Sequence, residues 1–423
     1  MGFIEELKWR GLLHDMTPGM EEALANGSVR AYIGFDPTAP SLTIGNFVPI
    51  MILKLFQDAG HQPVVLMGGA TGRVGDPSGK DEERKLLDYS TLDHNLAHQQ
   101  AQFAKFLRFD DSDTSAIVVN NYDFYKEMSI LDFLRDVGKR ITVNYMMSKD
   151  SVKNRLEKGL SFTEFSYQLL QGYDFQHLYE HMDCKIQMGG SDQWGNITGG
   201  TELIRRNLGG KAFALTCPLL TKKDGKKFGK TEKGNIWLDP TMTSPYQFYQ
   251  FWLNASDEDV KNYIRIFTFL EQEEILKLEA EHAENPGARV LQKKLAEVVT
   301  IYLHGEEELK KAIEASAAFF SPTIDGLKAL DTKTLGEVLA SQKKATVNKS
   351  ELNGMNMLEL LSTKTGFLAS NGEARRALKE NSVSINKSKI VEDYTLSEGD
   401  LISGKYVLVQ RGKKKFFVLE IAD

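Results

Sequence analysis

The sequence predicts an α/β protein: a parallel-sheet domain first, an α-helical domain after it, and a small α+β module at the end. Three observations carry this. Short apolar runs at 31–35 and 63–67 are each followed by a turn of small residues and then by further alternation of strand-like and helix-like segments, the arrangement that builds parallel sheets. Residues 246–320 instead repeat their apolar positions at amphipathic-helix spacing. From Met355 the pattern changes again, to two short helices and then strands at 382–386 and 406–410, with Lys and Arg prominent between them.

At 423 residues the chain is long enough for two or three domains. Its 41% hydrophobic and 26% charged residues describe an ordinary soluble globular protein. A net charge of −6 excludes a wholly cationic nucleic-acid binder and leaves room for a local basic patch. Cys184 and Cys217 are the only cysteines, so no disulfide framework is expected and a reducing compartment fits. Residues 1–10 are charged and amphipathic rather than signal-like, and no stretch is long and apolar enough to span a bilayer. The expectation is a cytoplasmic protein without a membrane partner.

The first element is the one around which the others are arranged. Residues 31–35 read as a strand, Pro37 and Asp36 break it, and Thr38, Ser41 and Thr43 put hydroxyls in the turn. Val48, Ile50, Met51, Leu53, Leu55 and Phe56 then recur as on a buried helix. A helix N-terminus after such a turn favours an anion, and Gly45 lets a ligand approach the backbone; an ordinary strand-to-helix turn explains the spacing equally well. A second strand, 63–67, runs into the glycine-rich segment 68–76, with Asp76 where doubly wound sheets place ligand-binding groups. Lys80, Arg84 and Lys85 follow as a solvated charge run or as partners for phosphate.

Helix-like segments rich in Phe, Tyr and Met between 118 and 160 suggest core or subunit interface. The next helix, 162–178, places Tyr167, Gln171 and Asp174 at i, i+4 and i+7, one stripe in an otherwise apolar setting. Either a polar ligand or solvent satisfies such a wall. Residues 185–188 form a strand that includes Gln187, and Gly189, Gly190, Asp192 and Gln193 turn from it into a helix, a setting for sugar hydroxyls and a polar head group. The loop 222–231 holds five lysines and two glycines, fit to clamp polyphosphate or to be a basic surface loop.

Residues 34–46 resemble the first signature of class I aminoacyl-tRNA synthetases, usually His-Ile-Gly-His, and 227–231 (Lys-Phe-Gly-Lys-Thr) the second, usually Lys-Met-Ser-Lys-Ser. Segments 68–79, 161–174 and 189–197 are similar to the bacterial enzymes of this class that act on tyrosine. The resemblance implies a Rossmann-type catalytic domain that joins L-tyrosine to ATP and passes it to tRNA(Tyr), with Mg²⁺ accompanying ATP, no permanently bound cofactor and no protein metal site. It implies that Tyr32 and Asp174 hold the phenolic hydroxyl, that Asp76, Tyr167 and Gln171 bind the α-amino group, and that Gln187 belongs to the same tyrosine pocket. Asp192 meets the ribose; Gly34, Asp36 and Gln193 line the adenylate; Gly45, Gly190, Phe228, Gly229 and Thr231 complete the ATP site. Thr38, Thr43, Asn46, Lys80, Arg84, Lys227 and Lys230 are the catalytic set, acting by position and charge on the phosphates. Thr43 and Asn46 stand where the signature histidines usually stand, which bears on the γ-phosphate contact.

The resemblance divides the chain into a catalytic domain (1–232, with a helical insertion at about 118–160 expected at a homodimer interface), a helical tRNA-contacting domain (233–320), a linker (321–352) and an S4-like RNA-binding domain (353–423). From Met355 on, eleven Lys and Arg stand against nine Asp and Glu, a local charge of +2. Arg375, Arg376, Lys379, Arg411, Lys413, Lys414 and Lys415, interleaved with Phe and Tyr, suit RNA. Two other readings stay open: an enzyme for tryptophan, whose ligand has no phenol for Tyr32 and Asp174, and a non-catalytic RNA-binding relative, in which Thr43 and Asn46 would mark decay.

Overall fold

The computed structural model describes the chain apart from residues 1, 79–85, 150–151, 154, 156–158, 222, 224, 226–227, 232–233, 352–354, 413–414 and 423, with 230–231 described by backbone alone. The chain divides into two compact units, residues 1–242 with 255–291, and residues 243–254 with 292–423.

In the first unit β1 (Asp15–Met16), β2 (Arg30–Phe35), β3 (Gln62–Met67), β4 (Ile117–Asn120), β5 (Cys184–Gly190) and β6 (Phe213–Cys217) form one sheet, in the order β1-β6-β5-β2-β3-β4. All neighbours are parallel except β1, which lies antiparallel on the β6 edge. The chain leaves β2 for β3 and β4 on one side, then returns to build β5 and β6 on the other. At such a reversal the crossover connections diverge and a crevice opens at the carboxyl ends of the two central strands. β3 buries every residue from Pro63 to Met67, as strands covered on both faces do. A hairpin of β7 (Lys230–Thr231) and β8 (Gly234–Asn235) follows the sheet.

Two long helices bring side chains to that crevice. Ile44–Asp58 buries Phe47, Ile50, Met51 and Leu53 and begins at Thr43, whose extended backbone ends the turn after β2. Phe162–Met182 begins at Ser161, whose hydroxyl accepts from the Glu164 N–H at 3.2 Å, and ends at Asp183 in the left-handed region (φ +50°).

Three boundaries differ from expectation. The segment beginning at 118 opens with sheet strand β4 rather than helix, because Val118 and Val119 pair with Val65 and Leu66. The helical region 233–320 is split. Asp257–Phe267 and Gln272–Glu284 belong to the first unit: Phe267 lies 5.4 Å from Phe47 and 5.3 Å from Phe228, and the Arg10 guanidinium donates to the carbonyls of Arg265, Thr268 and Leu270. Pro245–Leu253 and Glu306–Phe320 belong to the second, joined by a Gln250–Ser316 hydrogen bond. Finally, 321–352 is not an unstructured linker. It holds helices Asp325–Lys328 and Thr332–Ala340, whose Leu327, Leu335, Val338 and Leu339 are buried, and strand β9 (Lys343–Asn348).

β9 belongs to the terminal module. With β10 (Val383–Ile385), β11 (Ser388–Lys389), β12 (Tyr406–Arg411) and β13 (Lys415–Ala422) it makes a five-stranded sheet in the order β11-β10-β12-β13-β9, and it runs parallel to β13. The core under this sheet joins Leu358, Leu361, Phe367 and Leu378 to Val383, Val409, Phe417 and Leu419. Phe416 faces the other way, onto Phe319 at 4.8 Å.

Candidate active site

The crevice between β2 and β5 is a cavity of about 280 Å³, the scale of a small-ligand site. Tyr32, Gly34, Asp36 and Thr38 reach it from β2 and the following turn. Gln187, Gly190, Asp192 and Gln193 come from β5 and its turn, Asp76 from the glycine-rich loop, and Asn46 from the helix start. Tyr167, Gln171 and Asp174 contribute the stripe expected on helix Phe162–Met182.

At the floor, Tyr32 and Asp174 are buried. Asp174 accepts from the Tyr125 hydroxyl at 2.7 Å and from Asn121 Nδ2 at 2.9 Å. Burial pushes its carboxyl up to about 7 against those two donors, which favour the ionised form. Tyr32 stands edge-on to Phe175, 5.4 Å between ring centres, and burial with the neighbouring Asp174 charge raises its phenol well above the ordinary range. The Tyr32 hydroxyl and Gln187 Oε1 are buried polar atoms with no hydrogen-bond partner among the described residues. Such groups are expensive to bury alone, so the floor is built for a polar ligand atom.

The middle of the cavity is a chain of paired polar groups. Asp36 accepts from Thr71 Oγ1 at 2.7 Å and from the Tyr167 hydroxyl at 3.0 Å. A β-carbon on Gly68 would stand 2.1 Å from Asp36 Oδ1, so this approach admits only glycine. Asp76 accepts from Gln193 Nε2 at 2.8 Å and from the Ser78 N–H at 2.9 Å, and Asn196 Nδ2 donates to Gln171 Oε1 at 3.0 Å. Three carboxylates, Asp36, Asp76 and Asp174, therefore line one cavity and are oriented there by neutral donors, a setting that suits an ammonium group.

The signature segments are placed less uniformly. Asn46 lines the cavity; Thr43 does not, its hydroxyl being turned to Asn46. Gly45 is the second residue of the helix, exposed beside Thr43. The Phe228 ring, expected at ATP, is instead in the core between Tyr263 (5.0 Å) and Phe267 (5.3 Å), because that apolar slot holds it better than solvent does. Gly229, at φ +81°, packs against Ile44: a β-carbon there would meet Ile44 Cγ1 at 2.9 Å. Lys230 and Thr231 are in β7. Lys80, Arg84 and Lys227 lie outside the described residues.

In the terminal module Arg376 and Lys379 are exposed on helix Asn371–Lys379. Arg375 is paired with Glu392 at 3.0 Å, Arg411 with Glu373, and Lys415 lies over the Phe367 ring at 5.2 Å. Lys413 and Lys414 lie outside the described residues.

Sequence reasoning missed the residues that hold the site from behind. Asn121 and Tyr125 were visible only as part of a polar-aromatic run after β4. Asn95, Gln99 and Gln102, at i, i+4 and i+7 on helix Tyr89–Phe103, hold the loop 37–42 through Pro37 O (3.0 Å), Ala39 O (2.7 Å) and Ser41 Oγ (3.0 Å). That spacing was a legible signal.

The family profile described as tRNA synthetases class I (W and Y) matches residues 24–321, and that of the tyrosine–tRNA ligase SYY-like C-terminal domain matches 338–419. The chain is 57% identical to a tyrosine–tRNA ligase of Flavobacterium johnsoniae and 56% identical to one of Bacteroides fragilis, each comparison covering 99% of both chains. Among solved structures, a C-terminally truncated mitochondrial tyrosyl-tRNA synthetase of Aspergillus nidulans superposes with a TM-score of 0.68 at 32% identity, over 75% of this chain and 94% of that one. A tryptophanyl-tRNA synthetase of Encephalitozoon cuniculi shares the fold at 13% identity (TM-score 0.53, over 73% and 87%).

Proposed function

We infer that this chain, which belongs to the class I tRNA synthetases and among them to the tyrosine–tRNA ligases, activates tyrosine with ATP to tyrosyl-adenylate and pyrophosphate and then transfers the tyrosyl group to the 3′ end of tRNA(Tyr). The observation that supports the assignment of the amino acid pocket is the buried, partnerless Tyr32 hydroxyl beside the buried Asp174. A phenolic O–H brought there donates to Asp174 and accepts from Tyr32, and pairs both. A phenyl ring leaves the Tyr32 hydroxyl without a partner, and an indole N–H can only donate, so it cannot accept from that hydroxyl. Sites that hydrogen-bond a substrate hydroxyl reject the analogue lacking it by roughly 10⁴–10⁵-fold, and this enzyme family is the measured example from which the figure is taken.

The remaining roles follow the cavity outward. Asp76, Tyr167 and Gln171 take the α-amino group, and Gln187 closes the tyrosine pocket. Asp192 takes the ribose, while Gly34, Asp36, Gly190 and Gln193 line the adenylate. The tyrosine carboxylate attacks the α-phosphorus in line and pyrophosphate leaves, so no general base is required. Rate comes from alignment and from cations where charge develops on the leaving phosphates. Thr38, Lys80, Arg84, Lys227 and Lys230 supply that end, an assignment supported for Thr38, Lys227 and Lys230 by the signatures they stand in and for Lys80 and Arg84 by the family resemblance. Mg²⁺ enters on the phosphate oxygens of ATP, as a strongly hydrated cation does; Asp36 is ill suited to ligate it, since both of its oxygens already accept from hydroxyls.

The enzyme works in the cytoplasm as a homodimer. In support of the dimer, Ile130 and Phe162, 68% and 75% exposed, line a groove of about 500 Å³ with Tyr122, Phe133 and Leu134, and Leu131 and Val143 are 74% and 62% exposed. An exposed apolar patch of this kind is covered in stable proteins, and a second copy of the same face is the commonest cover.

The deciding experiment is exchange of labelled pyrophosphate into ATP. Exchange that depends on tyrosine, and that tryptophan and phenylalanine do not support, is expected. A folded sample without it would turn the reading to an RNA-binding relative.

A further inference from the structure

The two residues that stand in place of the signature histidines are bonded to each other. Asn46 Oδ1 accepts twice from Thr43, from the backbone N–H at 3.0 Å and from the hydroxyl at 2.8 Å. A backbone N–H can only donate, so the amide atom facing it is the oxygen, and Nδ2 is turned the other way. Asn46 borders the cavity together with Asp36 and Thr38, and Thr43 does not.

Thr43 is itself held on both sides. It bridges to Trp237, the Ile44 N–H donates to Ile236 O at 3.0 Å, and the Leu42 N–H donates to Gln102 Oε1 at 2.9 Å. The backbone of Thr43, and with it the N–H it offers to Asn46, is therefore fixed in space before any ligand arrives.

We propose that Thr43 is a positioning residue, which locks the Asn46 amide so that its NH₂ group faces an acceptor oxygen of the bound nucleotide, and that Thr43 does not itself touch the phosphates. The proposal rests on the adenylation reading above. A side-chain amide rotates between two nearly equivalent orientations, and the wrong one turns a carbonyl oxygen toward a polyanion. Two donors on one side remove that orientation and leave the amide ready for the transition state. A histidine needs no such partner, since it can present an N–H from either side of its ring. On this account threonine and asparagine replace the histidines as a pair, with one acting through the other.

The test is a double-mutant cycle in the full-length enzyme, read by pyrophosphate exchange. Thr43→Val is expected to lower kcat roughly five-fold, the worth of one hydrogen bond, with KM for tyrosine unchanged; Thr43→Ser should match the parent. In the Asn46→Ala background Thr43→Val should add less than about a two-fold further loss, because the amide it acts through is gone. Multiplying effects would overturn the proposal, placing the hydroxyl on the substrate, as would a Thr43→Val enzyme equal to the parent. Melting temperatures are read alongside. Should Thr43→Val melt early, Thr43→Cys keeps the size with a poorer donor and must show the same non-additivity for the proposal to stand. An inactive parent would instead overturn the ligase reading.

Discussion

Asp174 is a fully buried carboxyl at the floor of the cavity. Its carboxyl is pushed up to about 7 from an ordinary 3.8, so the folded protein holds a proton that the unfolded chain has released. This part of the stability is present below pH 4 and is lost as pH rises toward 7, flat thereafter. Binding runs the other way. A carboxylate accepts from a phenol more strongly than a neutral carboxyl does, so tyrosine affinity is expected to fall as pH drops below 7 and to level off above it. Equilibrium titrations between pH 5.5 and 8.5 measure this, and Asp174→Asn should bind weakly at every pH. At Tyr32 the expectation concerns choice rather than strength. Tyr32→Phe removes the hydroxyl that phenylalanine leaves unpaired, so the tyrosine/phenylalanine ratio in exchange should drop by about ten-fold or more. An unchanged ratio would take Tyr32 out of the pocket. The stripe Tyr167, Gln171 and Asp174 was legible because three polar side chains at helical spacing point one way. The Asn121 and Tyr125 donors to Asp174 were not, because they arrive from the end of β4, about fifty residues away, and nothing local marks that meeting.

Among the elements, helix Ile130–Asp136 shows its apolar residues on the outside: Ile130 is 68% and Leu131 74% exposed, while Phe133 alone is buried. In a two-fold interface every substitution appears twice, each copy meeting its mate or a neighbour of it. Leu131→Glu should therefore weaken self-association by more than about a hundred-fold, through two buried and unpaired charges. Sedimentation across a concentration series is the measurement, and a dimer unmoved by the change would relocate the interface. At this scale the sequence was readable wherever one period persisted, as in β2, β3 and helix Phe162–Met182. It misled at 321–352, where short elements with turn residues between them resemble a linker. β9, written Lys-Lys-Ala-Thr-Val-Asn, buries only Val347, so its identity comes from pairing with β13 and not from its own apolar content.

For the whole molecule the question is where a long polyanion is held. The stretch from Met355 on carries +2 against about −8 on the rest of the chain, and Arg376 and Lys379 are exposed there while Arg375 and Arg411 are tied to Glu392 and Glu373. Replacing Arg376, Lys379, Lys413, Lys414 and Lys415 with alanine in the full chain should leave tyrosine activation intact and weaken charging of tRNA. The slope of log affinity against log salt should shrink by roughly 0.7–0.9 for each phosphate that the altered module no longer neutralises. Charging and slope both unchanged would place the tRNA elsewhere. The parallel pairing of β9 with β13 has a consequence of another kind, in synthesis. β9 ends at Asn348 and its partner begins at Lys415, so at about 5–20 residues per second the strand leaves the ribosome several seconds before anything can pair with it. The module closes only once β13 has also left the ribosome. Lys343 and Lys344 at the head of that waiting strand are the kind of residue that keeps an open edge from recruiting a neighbouring nascent chain.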